Sequence, residues 1–148
     1  MDFSLFVSAK TNLAVIDTNV FVSGLISKNS NSPPSIILDL VLNPEIITIY
    51  SQEILSEYEE VLSRERLKIP APKIDELLIA IDEGGVEIQP QKSLIPLIDD
   101  DDLPFYEAIL DTYKAGAYLI TGNLKHFPSD EFVVSPREFL TVFQNYQI

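Results

Sequence analysis

The chain has 148 residues, of which 46% are hydrophobic and 22% are charged, a composition usual for a single globular domain. It carries 23 acidic residues against ten lysines and arginines, and this net charge of −13 argues, taken alone, against a nucleic-acid partner. It contains no cysteine and one histidine, which excludes disulfides, thiolate metal sites and metal sites built from several histidines of one chain.

We expect residues 1–148 to form one cytoplasmic domain that does not enter a membrane. No apolar stretch reaches the roughly 18 residues that a membrane span requires. The segment Met1–Lys10 lacks the basic start and the small-residue cleavage site of a signal peptide. The strong negative charge favours solubility, a cationic partner or bound metal ions.

The first half of the chain alternates predicted strands and helices. Short apolar, β-branched runs predict strands, and apolar residues at helical spacing predict helices that begin at serine or proline. In chain order we predict a strand over 13–17, a helix over 19–26, a helix from Pro33, a strand over 45–50, a helix from Ser51 to about Arg64, and a helix over 73–83 that stops at Gly84–Gly85.

The second half continues the same alternation. We predict a strand over 86–89, a helix from Asp102 to about Lys114, strands over 117–121 and 132–134, and a terminal helix from Pro136. This alternation predicts an α/β fold with a mostly parallel central sheet of about five strands.

Asp17 lies at the edge of the predicted sheet where open α/β folds bind their ligands. It ends the first predicted strand and is followed by Thr18 and Asn19. Ligands in such sheets bind outside the carboxyl ends of the strands. Thr121 and Asn123 follow the fourth predicted strand in the same way, so the two sets can face one crevice if these strands are neighbours. The alternative for the second segment is a simple glycine turn.

The predicted helix after the second strand carries glutamates that could lie beside Asp17. Its apolar stripe places Glu57 and Glu59 on opposite flanks, equally near the boundary of burial, while Glu53 and Glu60 point further out. Periodicity therefore does not choose between Glu57 and Glu59. Both could also be solvated acids beside a buried stripe.

The acidic run Asp99–Asp102 offers a second partner. Asp102 precedes Phe105 by three positions and shares the buried face of the following helix, whereas Asp101 does not. The alternative is that Asp102 caps this helix, which would leave one carboxylate oxygen free for a metal ion. Clusters of carboxylates bind hard cations such as Mg²⁺ or Mn²⁺.

Taken in order, these segments resemble the PIN domain family of metal-dependent ribonucleases, which includes the VapC-type toxins of toxin–antitoxin pairs. The resemblance covers nearly the whole chain and implies a three-layer α/β/α sandwich. Each matching motif is short, but the ordered set is far more specific than any one of them. The matching segments are 15–21, 51–58, 99–105, 119–128 and 135–140.

Carried over residue by residue, the resemblance implies that Asp17, Glu57 and Asp102 hold Mg²⁺ or Mn²⁺, and it selects Glu57 over Glu59. Asn123 becomes a further catalytic position, where many family members have an aspartate, and its amide brings no charge. The residues implied to orient the acids are Thr18, Asn19, Asp99 and Thr121. His126 is expected to be a structural or loop histidine.

The implied activity is hydrolysis of RNA, and the implied partners are a cognate antitoxin protein and a second copy of the chain in a homodimer. Arg64, Arg66, Lys68 and Lys73 are candidate contacts to the RNA backbone; the alternative is a solvated helix end. A different class of function is a PIN-like module that binds RNA or protein with little or no nuclease activity. Asn123 and the net charge motivate that alternative.

Overall fold

A five-stranded sheet, in which every strand is parallel to its neighbours, forms the centre of the fold. The computed structural model describes residues 12–147, and the side chains of residues 12–143. The order across the sheet is β3-β2-β1-β4-β5, which confirms the predicted parallel α/β sheet. The strands are β1 (Asn12–Ile16), β2 (Ile46–Tyr50), β3 (Val86–Glu87), β4 (Tyr118–Ile120) and β5 (Val133–Val134).

Six α-helices among the described residues pack on the sheet as the outer layers of an α/β/α sandwich. Five of them lie between strands in the chain, and the sixth follows β5. Ser51 caps a helix as predicted, and Ser32 caps the helix predicted from Pro33: both hydroxyls accept a hydrogen bond from the backbone amide three residues on. The helices are α1 (Thr18–Ile26), α2 (Pro33–Leu42), α3 (Gln52–Leu62), α4 (Ala71–Gly84), α5 (Leu103–Thr112) and α6 (Pro136–Gln147).

The chain reverses its direction across the sheet between β1 and β4. It leaves β1 towards β2 and β3 on one side, then returns to β4 and β5 on the other. A crevice forms outside the carboxyl ends of the strands at such a switch point. The two strands are hydrogen-bonded neighbours, with Ile16 opposite Ile120. The residues that follow them, Asp17 and Thr121, therefore lie at the same edge of the sheet.

Tyr58 of α3 packs at the centre of this edge and is fully buried. Its hydroxyl donates a hydrogen bond to the Ile16 carbonyl at the end of β1. Its ring meets Phe21 of α1 edge-on, with centroids 5.0 Å apart, and lies 6.2 Å from the ring of Phe105 of α5. One side chain thus fixes the relative positions of β1, α1, α3 and α5.

Two boundaries differ from the predictions for identifiable reasons. Helix α4 begins at Ala71 rather than Lys73, because Pro72 occupies its first turn, where a missing N–H costs nothing. Asp102 makes no capping hydrogen bond at the start of α5, so its interpretation as a cap is wrong. Residues Asp100–Asp102 instead form a short 3₁₀ turn, in which the Asp101 amide donates a hydrogen bond to the Asp99 carboxylate.

No helix within residues 12–147 is long and apolar enough to cross a membrane. The expectation about a signal peptide concerns Met1–Lys10, which lie outside the described residues. The assignment of residues 1–148 to one domain stays a prediction.

Candidate metal centre

Asp17 occupies the junction between β1 and α1 and is almost fully buried, with 3% of its surface exposed. Its backbone amide continues the sheet by donating to the Ile120 carbonyl over 2.9 Å. Its carboxylate Oδ2 accepts a hydrogen bond of 2.7 Å from the Thr121 hydroxyl, which follows β4. The parallel pairing of β1 and β4 therefore brings together two groups that sequence reasoning placed in one crevice.

Asn123 contributes to this junction through its backbone. Its amide donates a 3.0 Å hydrogen bond to the Thr121 hydroxyl oxygen, which leaves the hydroxyl proton free for Asp17. Asn123 is partly buried but is not among the described residues that line the cavity beside Asp17.

Glu57 and Glu59, which periodicity could not separate, lie in different environments. Glu57 is half-buried and lines the cavity beside Asp17, whereas Glu59 is exposed to solvent. A hydrogen bond from the Thr18 hydroxyl holds one Glu57 carboxylate oxygen and links α3 to the first residue of α1. The packing of Tyr58, next to Glu57 in the chain, turns this flank of α3 towards the end of β1.

The acidic run before α5 supplies three more carboxylates, from Asp99, Asp101 and Asp102, to the same cavity. Asp101 was expected to lie off the inward face. It is exposed, but the 3₁₀ turn brings it to the cavity edge, because side chains of a 3₁₀ turn do not follow α-helical spacing. Asp102 is partly buried, and its Oδ2 lies 2.9 Å from Nδ1 of His126.

These residues enclose a cavity of about 350 Å³. Of the ten described residues that line it, six are acidic and one, Arg64, is basic. The lining residues are Asp17, Thr18, Asn19, Glu57, Glu60, Val61, Arg64, Asp99, Asp101 and Asp102. A tighter group exists at one side of this cavity, where Asp99, Asp102 and His126 offer ligand atoms that all lie within 4.8 Å of one another.

Burial raises the pKa of each of the three acids, Asp17, Glu57 and Asp102, above its ordinary value. The negative charge of Asp17 raises the pKa of Glu57 and of Asp102 further. Hydrogen bonds from Thr121, Thr18 and His126 offset part of these rises. Ionised carboxylates that destabilise one another in this way are relieved by a cation, so this all-oxygen donor set fits a hard divalent ion.

The four basic residues named as candidate contacts to the RNA backbone are divided between different surfaces. Arg64 lines the acidic cavity and its guanidinium lies 2.9 Å from Glu60. Arg66 and Lys68 are exposed in and after the short turn that follows α3. Lys73 lines a separate cleft of about 280 Å³ between α1, α2 and α4.

His126 is the site residue whose contact sequence reasoning missed. It was expected to be a structural or loop histidine, and its imidazole lies against Asp102, 24 positions earlier. The one usable signal was its rarity, since no other histidine occurs in the chain. A contact of this kind depends on the shape of the loop after β4, which periodicity does not describe.

Two comparisons with known proteins found a match for this chain. The family profile described as PIN domain matches residues 13–125, a range that includes the acids of the cavity and ends one residue before His126. The chain is 31% identical to an uncharacterized protein of Methanocaldococcus jannaschii, over 89% of this chain and 92% of that protein. No solved structure matches the chain.

Proposed function

Because the chain belongs to the PIN domain family, we propose that it is a divalent-metal-dependent endoribonuclease that hydrolyses RNA phosphodiester bonds. Metal-dependent nuclease chemistry is general in this family; RNA as the substrate and Mg²⁺ or Mn²⁺ as the metal are the finer parts of the proposal. The observation that carries it is the convergence of Asp17, Glu57 and Asp102, from three separate parts of the chain, on one acidic cavity.

The residues of the cavity have different roles in such a reaction. When bound, Mg²⁺ or Mn²⁺ activates water and neutralises charge on the phosphate. Asp17, Glu57 and Asp102 would hold the ion through their carboxylate oxygens, which are the ligands that hard divalent cations prefer. The hydroxyls of Thr121 and Thr18 each hold one carboxylate oxygen and so orient Asp17 and Glu57 towards the ion.

A phosphodiester also needs a positive group in so acidic a cavity. We assign this role to Arg64, the basic residue among those that line it. Its partner Glu60 is exposed, so the guanidinium can exchange that carboxylate for a phosphate at little cost. Arg66, Lys68 and Lys73 lie outside the cavity and would contact the RNA backbone further along the strand.

A role as the toxin of a toxin–antitoxin pair belongs to the same proposal. A cognate antitoxin with a cationic segment would complement the negative charge of the chain and could block the acidic cavity. A homodimer and a cytoplasmic location are further parts of this proposal. Light scattering of the purified chain tests the dimer directly, by giving the mass of one or of two copies.

A second candidate function is an RNA-binding or protein-interaction module with weak catalysis. It is favoured by Asn123, which brings no charge where many family members have an aspartate, and by the net charge of −13. Calorimetry separates the two candidates, because a module without a metal centre would bind no Mn²⁺ at millimolar concentration.

Cleavage of single-stranded RNA tests the proposed function. We expect the purified chain to cut RNA with Mn²⁺ or Mg²⁺ and to stop when a chelator is added. Asp17→Asn and Asp102→Asn should abolish cleavage. Asp100→Asn is the matched control, since Asp100 belongs to the same acidic run but does not line the cavity. Equal activity of all three variants would show that the assigned acids do not form the site.

A further inference from the structure

The loop after β4 presents His126, rather than the side chain of Asn123, to the acids. The loop closes as a short 3₁₀ turn, Leu124–His126, in which the His126 amide donates to the Asn123 carbonyl over 2.9 Å. This turn carries the imidazole to Asp102, where Nδ1 lies 2.9 Å from Oδ2. The Asp102 side chain is 13% exposed, so this contact is made in a partly dehydrated environment.

We propose that His126 is a positioning residue for Asp102: its Nδ1–H donates to one carboxylate oxygen and leaves the other to face the cavity. The inference rests on the metal-binding role proposed for Asp102. The loop that carries Asn123 then has a role in the site, although Asn123 itself brings no charge. It contributes the imidazole of His126 as a hydrogen-bond donor instead of a fourth carboxylate.

The chemistry of the two groups fixes the direction of this hydrogen bond. An ionised carboxylate can only accept, so the proton of the neutral imidazole must sit on Nδ1. Donors that hold the far oxygen of a metal-binding carboxylate set its orientation, and their loss typically lowers metal affinity roughly 10–100-fold. The arrangement parallels the hydroxyls of Thr121 and Thr18, which hold Asp17 and Glu57 in the same manner.

The tautomer of the imidazole tests the geometry without metal or RNA. Because His126 is the one histidine of the chain, its two ring nitrogens give an unambiguous ¹⁵N NMR spectrum. In metal-free protein, at a pH well above the ordinary imidazole pKa, we expect the proton on Nδ1. In Asp102→Ala, which removes the acceptor, the proton should move towards Nε2, the usual tautomer. A proton on Nε2 in the wild-type protein would overturn the inference.

Metal affinity then tests the consequence. His126→Asn places an amide nitrogen at the position of Nδ1, whereas His126→Gln places it at the position of Nε2. We expect His126→Asn to bind Mn²⁺ nearly as the wild type does in calorimetry. His126→Gln and His126→Ala should bind it roughly tenfold or more weakly. Lys125→Ala is the control, since this exposed neighbour belongs to the same turn.

Thermal unfolding in the absence of metal separates positioning from a merely structural role. If His126→Ala unfolds at the wild-type temperature and binds Mn²⁺ more weakly, the positioning role is supported. If it binds Mn²⁺ as tightly as the wild type, the inference fails. Absence of Mn²⁺ binding by the wild type would contradict the proposed function instead, and would leave the NMR result as an independent test of the hydrogen bond.

Discussion

The Thr121 hydroxyl donates a 2.7 Å hydrogen bond to Oδ2 of Asp17, although 104 positions separate the two residues. The bond spans the carboxyl ends of the neighbouring strands β1 and β4, and both side chains are buried. The Asn123 amide binds the same hydroxyl from the other side. The orientation of the Asp17 carboxylate is therefore set by the loop that follows β4.

Removal of this hydroxyl should disturb the candidate metal centre more than the core. In Thr121→Val the shape is kept, but Asp17 and the Asn123 amide each lose a partner, which costs about 1–3 kcal/mol for the buried Asp17 and less for the partly buried Asn123 amide. We expect a lower unfolding temperature and roughly tenfold weaker Mn²⁺ binding. Thr121→Ser keeps the donor and should behave as the wild type in both measurements. Wild-type Mn²⁺ affinity in Thr121→Val would show that the hydroxyl does not orient Asp17.

The two glutamates on the flanks of α3 form a matched pair of variants. Glu57→Gln removes a charge from the cavity, and Glu59→Gln removes the same charge from an exposed position two residues away. In Glu57→Gln, RNA cleavage should fall more than roughly 10–100-fold, which is the usual effect of losing a residue that only supports a metal ligand. In Glu59→Gln, RNA cleavage should be unchanged. Equal rates for the two variants would mean that the cavity is not where RNA is cut.

The positive charge of Arg64 should weaken Mn²⁺ binding and strengthen RNA binding. Arg64→Gln removes the one basic group among the described residues that line the cavity, so Mn²⁺ should bind more tightly in the absence of RNA. The same change should raise KM for RNA roughly tenfold, because a charged contact to the phosphate is lost. Arg66→Gln changes the net charge equally but lies outside the cavity. If the two variants give the same KM and the same Mn²⁺ affinity, Arg64 has no special contact with the phosphate.

The raised pKa values of the acids predict a pH dependence of the metal-free protein. Folding raises the pKa of Asp17, chiefly by burial, and the pKa of Glu57 by burial and by the charges of Asp17, Asp101 and Asp102. Between the ordinary and the raised values the folded protein binds more protons than the unfolded chain. The contribution of these groups to the free energy of unfolding therefore increases as the pH falls through that interval, and is lost as the pH rises.

Asp17→Asn isolates this contribution. The variant should be more stable than the wild type at neutral pH without metal, by about 1 kcal/mol, because a buried charge is removed. The difference should shrink as the pH falls towards the ordinary range of a carboxyl. Denaturant unfolding at several pH values measures it. A variant that is less stable than the wild type at neutral pH would show that the ionised Asp17 carboxylate stabilises the metal-free fold.

Much of the fold and part of the candidate site follow from local patterns. Short apolar strands and capped helices predict the parallel sheet, and the position of Asp17 and Thr121 after two of its strands predicts their meeting. Periodicity alone could not choose Glu57 over Glu59, because the two flanks of a helix are equivalent until one of them packs against a neighbouring element. In the structure the hydroxyl of Tyr58 on Ile16 fixes which flank of α3 faces β1.

Two features of the site depend on backbone shapes that no apolar pattern encodes. Asp101 reaches the cavity because residues Asp100–Asp102 form a 3₁₀ turn instead of continuing the α-helical spacing of α5. His126 reaches Asp102 because a second 3₁₀ turn follows Asn123. Both turns are three residues long and lie in loops, where hydrophobic periodicity carries no information.

A crystal of the metal-free protein soaked in Mn²⁺ would show whether the three acids form one metal centre, because anomalous scattering locates the ion independently of any assumed ligand. We expect an ion inside the cavity of about 350 Å³, bound directly or through one water by Asp17, Glu57 and Asp102. An ion held by Asp99 and His126 at the edge, away from Asp17 and Glu57, would contradict this expectation, as would an empty cavity at millimolar Mn²⁺.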